Sequence, residues 1–114
     1  MTDITDKLII CIRDYYDIRG LKWPTFDDAM KFAHTEIAEV YELDLARTGG
    51  YVRNHPENKP IYSPEKLSEE LGDAILMLIV AGIVEGVNPL QSLLTKIGGK
   101  VRQDYIKFLG MKES

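Results

Sequence analysis

A lone cysteine and two histidines are all this chain offers to a disulfide framework or a soft-metal site. One cysteine forms no bridge within a chain, and one Cys with two scattered His cannot build an ordinary zinc centre. Cys11 lies in the apolar run Leu8-Ile9-Ile10-Cys11-Ile12. Free cysteine packs as a small hydrophobe, so a buried reduced thiol is expected there. Long hydrophobic runs are lacking too. The longest, Ala74 to Val84, has 11 residues, against about 20 for a helix that spans a bilayer. The start Met1-Thr2-Asp3 has no basic opening of a secretory signal. A cytoplasmic protein with no membrane partner is therefore expected. Positive charge is in deficit. Lys and Arg number 14 against 18 Asp and Glu, a net −4, which argues against a nucleic-acid polymer as partner.

The chain has 114 residues, 45% hydrophobic and 28% charged, the size and balance of one globular domain spanning 1–114. Four helical segments can be read and no convincing strand, so the expected class is all-α, a four-helix bundle-like fold. The first segment runs from about Ile4 to Ile18 on an Ile4, Leu8, Ile12, Tyr15 or Tyr16 stripe and stops at Gly20. The second follows the linker Leu21-Lys22-Trp23-Pro24. Thr25 suits its N-cap, Asp27 and Asp28 its first turn, and Gly49-Gly50 its end. Its apolar stripe is Phe26, Ala29, Ala33, Ile37 and Val40.

Residues 51 to 62 read as a loop. Ser63 and Pro64 then open a third helix as cap and first residue, and Gly86-Val87 closes it. Asn88-Pro89 opens a fourth, reaching about Leu109. Gly98-Gly99 within it cost about 1 kcal/mol each relative to alanine, so a kink or an early end is expected. The stretch Ala74 to Val84 is apolar on every side and must be covered on every side. One short chain covers it only in part. The fold is therefore expected to be completed by oligomerisation, as a homodimer or a dimer of dimers.

Two acidic pairs stand out against these apolar patterns: Glu36-Ile-Ala-Glu39 and Glu70-Leu-Gly-Asp73. Spacing of i,i+3 sends both carboxylates of a pair out along one helix face. Around the second helix, Glu36 falls on the edge of the apolar stripe. Glu39 lies about 60° further out and Glu42 about 60° beyond that. Glu36 should be the more buried of its pair, and Glu42 exposed. Glu39 precedes Gly49 by 10 residues and Glu70 follows Ser63 by 7, offsets that let an antiparallel helix pair bring the four acids together.

Four anions in one place repel, and a divalent cation relieves the repulsion. Oxygen-only ligation favours Mg²⁺, with Mn²⁺ also suitable. The competing reading makes these acids surface charges that pair with Lys31, Lys66 or Lys96. A di-iron bundle is disfavoured because it needs Glu-x-x-His pairs, and neither His34 nor His55 lies three residues after a Glu. His34 points away from Glu36 around the helix and suits a surface or interface role.

Glu36-Ile-Ala-Glu39-Val-Tyr-Glu42, followed by Leu67-Ser-Glu-Glu70-Leu-Gly-Asp73-Ala-Ile-Leu76, resembles the MazG-like all-α nucleoside triphosphate pyrophosphohydrolases. Their signature is ExxE on one helix and ExxD on the next. The likeness extends to Gly86-Val-Asn-Pro89 and to Lys96, covering roughly residues 20 to 105. Thr35 stands where many members carry a further Glu, Lys100 where they often carry Asn, and the loop between the motifs is longer than in compact members.

The resemblance implies a MazG-type fold and Mg²⁺-dependent hydrolysis of an NTP or dNTP to the monophosphate and pyrophosphate, as in nucleotide-pool house-cleaning. It implies metal ligation by Glu36, Glu39, Glu70 and Asp73, with Glu39 as the carboxylate that orients or deprotonates water. Lys96, with Lys100 and Arg102, would hold phosphates as charged donors. Trp23 and Tyr51, aromatic residues in loops, are candidates for stacking on the base, and burial against the helices is the alternative for Trp23. Two other readings stay open. One is phosphoribosyl-ATP pyrophosphohydrolase, which shares the carboxylate logic. The other is a non-catalytic helical oligomerisation or regulatory module.

Overall fold

The computed structural model describes residues 4–49 and 60–108, with side chains as far as residue 100. Within them it holds four helices and no strand: α1 (Ile4–Ile18), α2 (Phe26–Thr48), α3 (Pro64–Val84) and α4 (Pro89–Phe108). Local chemistry sets their ends. The Thr25 hydroxyl accepts the Asp28 amide at 3.1 Å, the Ser63 hydroxyl accepts the Lys66 amide at 3.0 Å, and the Asn88 side chain accepts the Gln91 amide at 3.1 Å. Each satisfies one of the amide groups that a helix start leaves without a partner. Gly20, Gly49 and Gly86 follow the first three helices with φ of +66°, +79° and +76°, a backbone that only glycine adopts without strain.

The chain divides into two compact units. One combines Met1–Leu21 with Gly86–Ser114, and the other is Lys22–Glu85. In the first, the covered line of α1 is Thr5, Ile9, Ile12 and Tyr16, and the Thr5 hydroxyl donates to Gln91 Oε1 of α4 at 3.0 Å. The expected stripe meets this line at Ile12 and Tyr16, but in the first turns the covered positions are shifted by one, to Thr5 and Ile9, and the expected Ile4 and Leu8 are exposed. The shift explains Cys11. It flanks the covered line and is exposed, so the expected buried thiol is corrected. The covered line selects Ile12 and leaves its neighbour outside, because adjacent helical residues point about 100° apart.

In α4, the helix runs through Gly98 and Gly99 without ending, against the expected early stop. Both glycines are exposed and a methyl group on either would meet nothing. Their helical cost of about 1 kcal/mol each is borne by residues on both sides that continue the helix.

The second unit is a helix pair. Two contacts fix its direction. Arg47, at the end of α2, donates to the Tyr62 hydroxyl just before α3 at 3.0 Å and stacks over its ring at 4.6 Å. Further back along α2, Glu36 lies beside Glu70 and Asp73 of α3. Only an antiparallel arrangement satisfies both.

The covered line of α2 is Ala29, Ala33, Glu36, Val40 and Leu43; that of α3 is Leu67, Glu70, Ala74, Met77 and Ala81. Both alternate steps of three and four, the period of a coiled-coil seam. Alanine rather than bulk occupies much of the seam, and Phe26 and Ile37 of the expected stripe lie outside it, exposed. Glu42 is half-buried rather than exposed. Towards its C-terminal end α2 is covered on more than one side, from Glu42 to Ala46. Burial likewise widens along α3, where Ile79, Val80, Ala81 and Gly82 are consecutively buried.

Candidate metal centre

The seam carries two carboxylates at positions where an apolar residue is the rule. Glu36 is half-buried, and Glu70 is only 9% exposed. Their placement follows from period alone. Glu36 lies three residues after Ala33 and four before Val40; Glu70 lies three after Leu67 and four before Ala74. Asp73, three residues beyond Glu70, turns to the exposed flank of the same face. One carboxylate oxygen from each of Glu36, Glu70 and Asp73 falls within 4.8 Å of the others. The expected burial order within the first pair holds, with Glu36 half-buried and Glu39 exposed.

Glu39 is not part of the cluster of three but is electrostatically tied to it. Its pKa is pushed from 4.5 up to about 7. The chief cause is a hydrogen bond shared with Glu70, which requires a proton on Glu39. Partial desolvation and repulsion from Glu36 and Glu70 add to it. Glu70 moves the other way. A hydrogen bond from Lys66, and then the one from Glu39, hold it below its ordinary value, while burial opposes them.

Lys66 lies one turn before Glu70, with its Nζ 3.1 Å from Glu70 Oε1. The pairing alternative is thus realised at one of the four acids. It does not satisfy the whole carboxylate, because Glu70 Oε2 is buried and has no hydrogen-bond donor. A buried anionic oxygen without a donor is costly. Three converging carboxylates with one orphaned oxygen among them suit a hard divalent cation, which coordinates oxygen and cancels charge. The donor set therefore fits Mg²⁺ or Mn²⁺.

The other expected site residues are more dispersed. Trp23 is half-buried in the linker before α2, and His34 is exposed on α2. Lys96 and Lys100 are exposed on α4, in the other compact unit. The Arg102 side chain, Tyr51 and His55 lie outside the described residues.

Two features had little or no sequence signal. Lys66 stands out only as one of several lysines that could pair with an acid, on i,i+4 spacing to Glu70. The Arg47–Tyr62 contact joins residues 15 apart across a loop, and no pattern announces it.

No family model, curated protein or solved structure matches the chain.

Proposed function

We propose that this protein is a divalent-metal-dependent nucleoside triphosphate pyrophosphohydrolase, acting on an NTP or dNTP to release the nucleoside monophosphate and pyrophosphate. The observation that carries the reading is the convergence of one carboxylate oxygen each from Glu36, Glu70 and Asp73 within 4.8 Å, with Glu70 also keeping a buried oxygen, Oε2, without a donor. Three of the four acids in the ExxE and ExxD motifs that resemble the MazG-like enzymes are the ones that converge. Glu36, Glu70 and Asp73 would hold Mg²⁺ or Mn²⁺, with Glu39 beside them. A bound divalent ion supplies charge neutralisation for the triphosphate and a lower pKa for water.

Glu39 suits the role of general base. It stands beside the three converging acids without being one of them, which leaves its carboxylate able to take a proton from water. In this reading water attacks the α-phosphorus, the Glu39 carboxylate accepts its proton, and pyrophosphate leaves. Lys96, Lys100 and Arg102 on α4 are proposed to contact phosphate, and Trp23 the base.

The proposal extends to the assembly. We take the four helices as a MazG-type bundle completed by a second copy of the chain, in the cytoplasm. Leu71, Ile75 and Leu78 support this: they form an exposed apolar line on α3, 44%, 54% and 43% accessible. A line of this kind on a small helical protein is a candidate self-association surface.

The second reading, a non-catalytic helical module, draws support from the Lys66–Glu70 ion pair, which gives one motif acid a structural partner. A panel of NTPs, dNTPs and phosphoribosyl-ATP with Mg²⁺ separates the readings. Pyrophosphate from a nucleoside triphosphate supports the proposal. Pyrophosphate from phosphoribosyl-ATP alone replaces it with that enzyme, and inertness towards all of them favours the module.

A further inference from the structure

We infer that Lys66 is the resident counter-cation of this acidic site, and that a divalent ion must displace its ammonium from Glu70 to bind. The inference rests on the metal reading of Glu36, Glu70 and Asp73. It adds that the chain carries its own competitor for that metal.

Glu70 is the hinge of the argument. It is the most buried of the motif acids, and it belongs to two clusters at once. With Glu36 and Asp73 it offers converging oxygens, and with Lys66 it forms an ion pair at 3.1 Å. A carboxylate is compact, so an ammonium on one oxygen and a divalent ion on the same group repel each other at close range.

Lys66 is built to leave. Its backbone is anchored, because its amide is the one that the Ser63 cap accepts at 3.0 Å. Its side chain is 48% exposed, so the ammonium swings into water without disturbing the seam. The pair leaves the buried Oε2 without a donor, so Lys66 neutralises the site incompletely and a metal ion has more to gain there. Lys66 would thus partly neutralise the empty site and raise the metal concentration needed to load it.

The test is calorimetric titration of metal-free protein with Mn²⁺ alone, on wild type, Lys66→Gln, Lys66→Arg and Asp73→Asn, with circular dichroism to confirm folding. Removing an exposed competing charge should tighten Mn²⁺ binding by about two- to fivefold in Lys66→Gln, the range set by exposed ion pairs. Lys66→Arg keeps the charge and should stay at the wild-type value. Unchanged or weaker binding by Lys66→Gln, with Asp73→Asn still abolishing binding, overturns the competitor role and leaves the metal site standing. Wild-type binding by Asp73→Asn, or no binding by wild type, overturns the site and the competitor together. If Lys66→Gln fails to fold, Lys66→Ala is titrated in its place under the same criteria.

Discussion

Replacing Glu70 with leucine should stabilise the metal-free protein and destroy its response to metal. Glu70 is 9% exposed in a seam between Leu67 and Ala74, and one of its oxygens has no donor. An unsatisfied buried polar group costs about 1–3 kcal/mol, more when charged. Lys66 offsets little of this, because its side chain is 48% exposed and its charge is largely answered by water. Leucine has a similar volume, needs no donor and buries apolar surface. Replacing buried ion pairs by packed apolar residues is often neutral or stabilising by up to about 4 kcal/mol.

We expect a net gain of about 1–3 kcal/mol for Glu70→Leu in EDTA, read by urea unfolding. In a domain of this size each kcal/mol raises Tm by about 4–8 °C. Millimolar Mg²⁺ or Mn²⁺ should reverse the order. Wild type gains about 2.7 kcal/mol when the ion is at a hundred times its Kd, and Glu70→Leu gains nothing. A Glu70→Leu protein less stable than wild type in EDTA would refute the reasoning. Glu70 would then be a structural partner of Lys66 and no functional liability.

Other outcomes follow from the same geometry. Asp73→Asn, at an exposed position, should leave the urea midpoint within about 0.5 kcal/mol of wild type and abolish pyrophosphate release; a fully active variant removes Asp73 from the site. Metal-free stability should depend on pH through Glu39, whose pKa rises from 4.5 to about 7 on folding. The folded state holds that proton more tightly, so this contribution is present below pH 4.5 and is lost as pH rises to about 7. Glu70 acts oppositely, its contribution being present above its unfolded value and lost as pH falls through its lowered folded value. Thermal melts in EDTA should therefore show Tm falling between pH 5 and 8, and Glu39→Gln should remove that slope. Ile75→Glu, at a side chain 54% exposed, should dissociate the assembly and keep helical circular dichroism. Val80→Asp, at a residue 0% exposed, should unfold the chain. Light scattering giving a 12.9 kDa mass for wild type at micromolar concentration would contradict self-association.

The helix ends were legible because they are local chemistry. Thr25, Ser63-Pro64 and Asn88-Pro89 act within four residues of themselves, and Gly20, Gly49 and Gly86 supply a backbone that few residues adopt. The covered faces were less legible. The expected faces include Ile12, Ala29, Ala33, Val40 and Ala74, which are covered, but also Ile4, Leu8, Phe26 and Ile37, which are exposed, and they leave out Thr5. Small residues bring helix axes close, and that advantage belongs to the pair of helices rather than to either sequence. The period of the α2–α3 seam explains why Glu70 lies inside, and the covered line of α1 explains why Cys11 lies outside.

Of the candidate site, the four acids were legible from their spacing and apolar surroundings. Which three converge, and that Glu70 keeps an oxygen without a donor, depends on side-chain geometry across α2 and α3. Lys66 lies four residues before Glu70, a helical ion-pair spacing that neither Lys31 nor Lys96 has to any of the four acids. The placing of Lys96 and Lys100 on a helix of the other unit was fixed by no pattern at all.

The most direct measurement is the fate of oxygen during turnover. Wild-type protein is incubated with Mg²⁺ and the nucleoside triphosphate that it turns over fastest, in ¹⁸O-labelled water, and the products are read by mass spectrometry. Attack at the α-phosphorus beside Glu36, Glu39, Glu70 and Asp73 puts one labelled oxygen in the nucleoside monophosphate and none in pyrophosphate. Label in pyrophosphate, or labelled orthophosphate with a nucleoside diphosphate as the first product, would contradict the proposed chemistry.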